Sequence, residues 1–237
     1  MKKLLFLIVI GSLPVIMAPR LASASVCKNN VYGTITCVNQ FVLTGSYACR
    51  SAQGSLSVTK GNRIVLWVDN TATVTSITDP AGNSYTKFMP DTAWHNGRIV
   101  DSIWTAIAST TTKLTFTPHC AGSVEMSGFQ LHSSVGTVGI ECGSFPSFTE
   151  TANGTTVSSS CSAHRSGLAF SITDWDNSQP KAHSGWELVN DTPSSEYSFQ
   201  LKSVKAGVVK GTWTEIWNND FLSGTVVFND GSPGSMF

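Results

Sequence analysis

The chain has 237 residues, with 15 basic and 15 acidic side chains that cancel to zero formal charge. Charged residues make up only 13% of it, about half the usual share of a soluble domain. This composition excludes a general basic field of the kind that draws nucleic acid or anionic lipid. Polarity comes instead from Ser, Thr, Asn and Gly, as suits an extracellular β protein with neutral, hydroxyl-rich outer faces.

Residues 1–24 read as an export signal. Lys2 and Lys3 precede an apolar run from Leu4 to Ala18, and Ala22-Ser23-Ala24 supplies a small-residue cleavage pattern. Gly11, Ser12 and Pro14 interrupt the run, which falls short of the roughly 20 apolar residues of a membrane span. Cleavage removes Lys2, Lys3 and Arg20, leaving 12 basic residues against 15 acidic. Val26 stands before Cys27 where bacterial lipid attachment wants a small residue. No second hydrophobic stretch follows, so the mature chain is expected to be released or held non-covalently, with no membrane span.

Residues 25–48 form a cysteine-containing extension. Val31 to Leu43 alternates loosely and carries few charges, as an edge strand does. Such a strand either pairs within its own domain or completes a neighbour's sheet in an assembled fibre. The six cysteines, Cys27, Cys37, Cys49, Cys120, Cys142 and Cys161, all follow the signal, and an even count in an exported chain implies up to three disulfides. Cys27 and Cys37 flank a short β-like segment and make the most direct local bridge. No CxxC or closely spaced Cys/His pair suggests zinc.

Residues 49–143 make a first β unit. Arg63 to Val68 is apolar on both parities, the pattern of a central strand covered on both faces, or covered on one with an aromatic edge on the other. Pro80-Ala81-Gly82-Asn83 is a turn between Val74–Thr78 and Tyr85–Phe88. Ser102 to Ala108 alternates Ile103/Thr105/Ile107 against Trp104/Ala106/Ala108, and Leu114–Thr117 and Val124–His132 complete the unit. Residues 144–160, rich in Ser, Thr and Gly, read as a linker or edge strand. Residues 161–237 then repeat the order: Gly167–Ile172, Gly185–Asn190, Tyr197–Val204 (with Phe199 answering Trp104), Gly211–Thr214 and Phe221–Phe228. Two phrases carry the repeat most clearly. Leu114-Thr115-Phe116-Thr117 and Gly211-Thr212-Trp213-Thr214 lie 97 residues apart, and Ser127-Gly128 and Ser223-Gly224 lie 96 apart. The expectation is an all-β antiparallel sandwich of jelly-roll or immunoglobulin-like type, with an internal duplication of a five-strand unit in one compact body.

Residues 52–132, with the phrases Ser76-Ile77-Thr78-Asp79-Pro80-Ala81-Gly82-Asn83-Ser84-Tyr85-Thr86 and Ser102-Ile103-Trp104, resemble β-sandwich domains of large secreted or cell-surface bacterial proteins. Those domains carry a TD-x-x-GN-x-Y turn, an aromatic strand and a TVTVTF-like strand, here Thr112-Lys113-Leu114-Thr115-Phe116-Thr117. Ser184-Gly185-Trp186-Glu187-Leu188 resembles the GWTL phrase of their second part. The resemblance implies extracellular display or adhesion and brings no catalytic residues. The six cysteines and the N-terminal extension depart from its pattern.

Chemistry-bearing motifs are sparse. There is no Gly-x-Ser-x-Gly elbow, and His95, His119, His132, His164 and His183 are scattered without metal-ligand spacing. Asp174-Trp175-Asp176-Asn177 is the nearest approach to paired carboxylates. On a strand its two Asp share a face; in a loop Asp174, Asp176 and the Asn177 carbonyl could hold Ca²⁺. A hydrolase would need Asp174, Asp176, Glu187 and Glu215 to converge. Trp213, Glu215 and Trp217 share one face of an extended segment, which could stack sugars. However, Trp213 matches Phe116, which reads as core, so the weak ligand-binding set is Asp174, Trp175, Asp176 and Trp217. Asn153-Gly154-Thr155 and Asn190-Asp191-Thr192 fit glycosylation sequons. No catalytic residue and no cofactor beyond that Ca²⁺ option is expected. The partners expected are an extracellular glycan, a protein surface or a second copy of the chain, and no nucleic acid.

Overall fold

The computed structural model describes residues 27–49, 52–94, 99–144, 156–175, 181–189, 197–214 and 221–232. Residues 1–24, read from sequence as an export signal, and both sequon asparagines lie outside them. The described chain is built from antiparallel strands: β1 (Asn30–Tyr32), β2 (Ile35–Ala48), β3 (Gly54–Val58), β4 (Arg63–Asn70), β5 (Ser76–Thr78), β6 (Thr86–Trp94), β7 (Ile99–Ile107), β8 (Thr112–His119), β9 (Ser123–Ser133), β10 (Gly139–Ser144), β11 (Thr156–Ala163), β12 (Gly167–Trp175), β13 (Lys181–Ala182), β14 (Glu187–Leu188), β15 (Tyr197–Val204), β16 (Gly207–Thr214) and β17 (Phe221–Asn229). They form four sheets, ordered β1-β2-β9-β4-β7-β6, β10-β17-β12-β15-β14, β3-β8-β5 and β11-β16-β13.

The double apolar parity of β4 explains the layering. Val65 and Trp67 enter a core shared with Leu168, Phe170, Ile172, Phe199, Val226 and Phe228 of the five-stranded sheet. Ile64, Leu66 and Val68 point the other way, into a second core with Leu56, Val58, Leu114 and Phe116 of the β3-β8-β5 sheet. The two large sheets therefore face each other at the centre, and each is covered outside by a three-stranded sheet. The result is an all-β sandwich of four layers. Edge-to-face aromatic pairs bind its central seam: Phe129 lies 5.1 Å from Phe170 and 4.9 Å from Phe199, and Trp67 lies 6.1 Å from Phe199.

The two outer seams differ in chemistry. The first is apolar, with Phe41 stacked on Phe116 at 5.5 Å. The Phe41 ring occupies the space that a Cβ at either Gly54 or Gly128 would need, so those two strands reach it only as glycine. The second seam is lined with hydroxyls. Ser159 Oγ lies 2.6 Å from Thr225 Oγ1 and 3.2 Å from Ser223 Oγ, and Trp213 donates its indole N–H to Ser171 Oγ at 2.9 Å. Every one of these groups is buried, so the hydrogen bonds recover part of what dehydration costs.

The cysteines lie at disulfide spacing as Cys27–Cys37, Cys49–Cys120 and Cys142–Cys161, with Cα separations of 5.8, 5.6 and 5.8 Å. The first is the local bridge expected from sequence. The second joins the end of β2 to the end of β8, and the third joins β10 to β11.

Strand order in the two halves runs in step. The series β2-β9-β4-β7-β6 with cover β3-β8-β5 has the same succession as β10-β17-β12-β15-β14 with cover β11-β16-β13. Val65 lies between Thr105 and Phe129, as Phe170 lies between Leu201 and Val226. The pairing of Phe199 with Trp104 is one residue out of phase: Phe199 faces the central core with Ile103, whereas Trp104 faces the first outer seam. A slip of one residue changes the face of a strand, and both faces here are apolar, so composition alone does not reveal it. The extension 25–48 supplies β1 and β2, and β2 pairs along β9 of its own chain from Ile35 to Ala48. Strand β10, at the end of the range 49–143, hydrogen-bonds to β17 in the second large sheet.

Candidate functional site

The Asp79 turn is a structural staple. Gly82 takes φ +67°, which its missing Cβ permits. The Asp79 carboxylate accepts from the Ala81 N–H at 2.7 Å, the Asn83 amide at 2.8 Å and the Tyr85 hydroxyl. Asn83 Oδ1 in turn accepts from the Ser109 N–H at 2.8 Å, tying the turn to the loop after β7. Burial raises the Asp79 carboxyl, but these hydrogen bonds outweigh it and hold the group below the usual carboxylate range. Burial and the adjoining Asp79 push the Tyr85 phenol far upward.

A second phenol behaves alike. Glu187 on β14 accepts from Asn30 Nδ2 at 2.7 Å with one oxygen and from Tyr32 OH at 2.8 Å with the other, clasping the edges of the two large sheets together. Burial first, then Glu187, raises Tyr32 well above its ordinary 10.0. In both tyrosines the folded pKa lies above the unfolded one. Their contribution is complete below pH 10.0 and is lost as pH climbs above it. The urea midpoint is expected to fall above that pH, and to fall less in the double variant Tyr32→Phe/Tyr85→Phe. An equal fall in the variant would assign the alkaline loss to other groups.

Of the acids a hydrolase would need, Glu187 has both oxygens committed to this clasp. Asp174 and Trp175 belong to the ladder of β12, where Asp174 pairs with Tyr197 and Leu222. Asp176, Asn177, Glu215 and Trp217 lie outside the described residues. Trp213 has 0% exposure and belongs to the interior, in keeping with its match to Phe116. Among the described residues, no group of three or more His, Cys, Asp or Glu side chains is placed to hold a metal ion.

Two features escape sequence reading. Asp69 on β4 pairs with Asp101 on β7 and with Glu125 on β9, placing three acids in one row across the first large sheet, with Asp69 and Asp101 buried. Strand register alone brings them together. The other is a surface groove of about 330 Å³ formed around the β15–β16 hairpin. Trp186, held by a turn in which its N–H donates to His183 O at 3.2 Å, forms a half-buried wall. Lys202, Lys205 and Lys210 line the groove together with Val204, Val208 and Val209. The Lys202 ammonium stands 5.9 Å from the Trp186 ring centre, within cation–π range. Val208 is 75% exposed. The signal for this groove was present in the sequence as three lysines between 202 and 210. It needed the hairpin fold to bring them into the groove that Trp186 also lines.

The comparisons with protein-family models, with curated proteins and with solved structures give no match to this chain.

Proposed function

We propose that the chain is an exported, non-catalytic binding protein that serves in surface display, adhesion or extracellular assembly. The observation that carries this reading is the Trp186 groove, a concave surface with an aromatic wall on a cysteine-paired β body. Binding sites of this kind combine an apolar wall with a few polar groups that orient the ligand. The large sheets spend both faces on packing, which leaves hairpins, edges and loops to meet a partner. The export signal and the resemblance to surface domains support the same address. The strand orders that run in step support descent of the two halves from one duplicated unit, larger than the five strands legible in sequence.

A carbohydrate ligand is the second reading, favoured by Trp186 and by the placement of Trp175 at the end of β12. Purified chain lacking residues 1–24 would be titrated with a panel of polysaccharides and extracellular matrix proteins, followed by tryptophan fluorescence. Recovered ligand would be checked for chain length. Saturable binding with ligand recovered intact is the expected result. Shortened glycan would overturn the non-catalytic assignment, and absence of binding across the panel would overturn the binding role unless sedimentation shows concentration-dependent self-assembly.

A further inference from the structure

The groove lining is one-sided in charge. Among the described residues, the ionisable side chains that line it are Lys202, Lys205 and Lys210, all cationic, with no carboxylate. The nearest acid in sequence to Trp186 is Glu187, and its two oxygens are taken up by Asn30 and Tyr32. The lysines are exposed, and the half-buried indole lines the groove beside the Lys202 ammonium. After signal removal the chain carries more acidic than basic residues, so this cationic hairpin is a local exception to the charge of the whole.

We propose that this groove binds an acidic polysaccharide. A sugar ring stacks against Trp186 and its carboxylate or sulfate groups pair with Lys202, Lys205 and Lys210. The inference rests on the binding role proposed above and specifies its ligand class. A groove of about 330 Å³ falls in the size range of small-ligand clefts, at roughly 300–1,000 Å³, and so admits a short stretch of glycan. A pyranose presents both an apolar ring face and, in acidic sugars, fixed negative groups, and the groove offers the counterpart of each. A flat anionic membrane would meet the lysines but leave the concave indole wall unused.

The test is isothermal titration of the mature chain with polygalacturonate and heparin, with dextran as the neutral probe and phosphatidylserine vesicles as the membrane probe. Both acidic glycans, or either one, should bind while dextran and vesicles do not. Affinity should fall steeply from about 0.01 M to about 1 M salt, as the screening length shrinks from ~30 Å to ~3 Å. Trp186→Ala should weaken binding about tenfold, because it removes the indole face on which the sugar ring stacks. Lys202→Gln/Lys205→Gln/Lys210→Gln should abolish the salt dependence, and the triple Lys→Arg variant should retain it. All positions altered are partly or fully exposed, and an unchanged thermal midpoint would show each variant folded. Binding to vesicles alone, or acidic-glycan binding unaltered by these variants, would overturn the proposal. Dextran or matrix-protein binding that the groove variants leave intact would overturn it while the wider binding role stands. No binding to any probe or panel member, without self-assembly, would overturn both.

Discussion

Phe129→Ala is expected to lower the unfolding free energy by about 3–5 kcal/mol, the usual cost of emptying an aromatic site in a packed core. Phe129 is almost wholly buried and touches Phe170 and Phe199 of the opposite large sheet, so its removal opens the seam between the halves. Few neighbours can collapse into the gap, because both walls are hydrogen-bonded sheet. Phe129→Leu, which refills most of the volume, should cost about 1.5 kcal/mol or less. Urea denaturation followed by tryptophan fluorescence measures both. The wild-type chain should unfold in one transition, since the central core draws on both large sheets. A loss below about 1 kcal/mol for Phe129→Ala, or two separate wild-type transitions, would show that the halves do not share that core.

Cys49→Ala/Cys120→Ala should be the most damaging of the three paired-cysteine replacements. The pair spans 71 residues, against 19 for Cys142–Cys161 and 10 for Cys27–Cys37. Cross-linking removes more freedom from the unfolded chain as the loop lengthens, which gives about 4 kcal/mol for the longest loop and about 3 kcal/mol for the shorter two. Its position adds to this: Cys49 and Cys120 sit in the first outer seam, where they close the ends of β2 and β8 onto one core. Thermal unfolding of the three double variants, each compared with the fully oxidised chain, ranks them. A Cys27/Cys37 variant weaker than the Cys49/Cys120 variant would show that loop length does not set the order.

The parts of the fold legible in sequence are those that local pattern decides. Arg63 to Val68 reads as a central strand because both parities are apolar, covered on both faces or on one with an aromatic edge on the other. The structure decides for the first by giving each parity its own core. Cys27 and Cys37 read as a local pair because they flank a short β-like segment, and the structure pairs them across the β1–β2 hairpin. What pattern did not decide was phase. Phe199 and Trp104 both suit a buried strand, and only the ladder shows that they face different seams. The site was less legible for a related reason. Asp69, Asp101 and Glu125 meet through register across strands far apart in sequence, and Trp186 and Lys210 come to line one groove through a sheet and a hairpin. Asp174-Trp175-Asp176 drew notice as a contiguous motif. Contiguity is weak evidence in a fold assembled almost wholly from long-range pairs.

Phe41 and the two glycines beneath it set a rule for how this sequence can drift. Neither Gly54 nor Gly128 can acquire a side chain while the ring is in place, since its Cβ would occupy the ring's own volume. Exchange of Phe41 for a smaller residue would in turn leave a hole against Phe116 that only larger residues at 54 and 128 could fill. Single steps away from the trio are therefore costly in either direction. Descendants of this chain should keep all three residues or replace them together, a coupled signature on strands distant in sequence by which remote kin could be recognised.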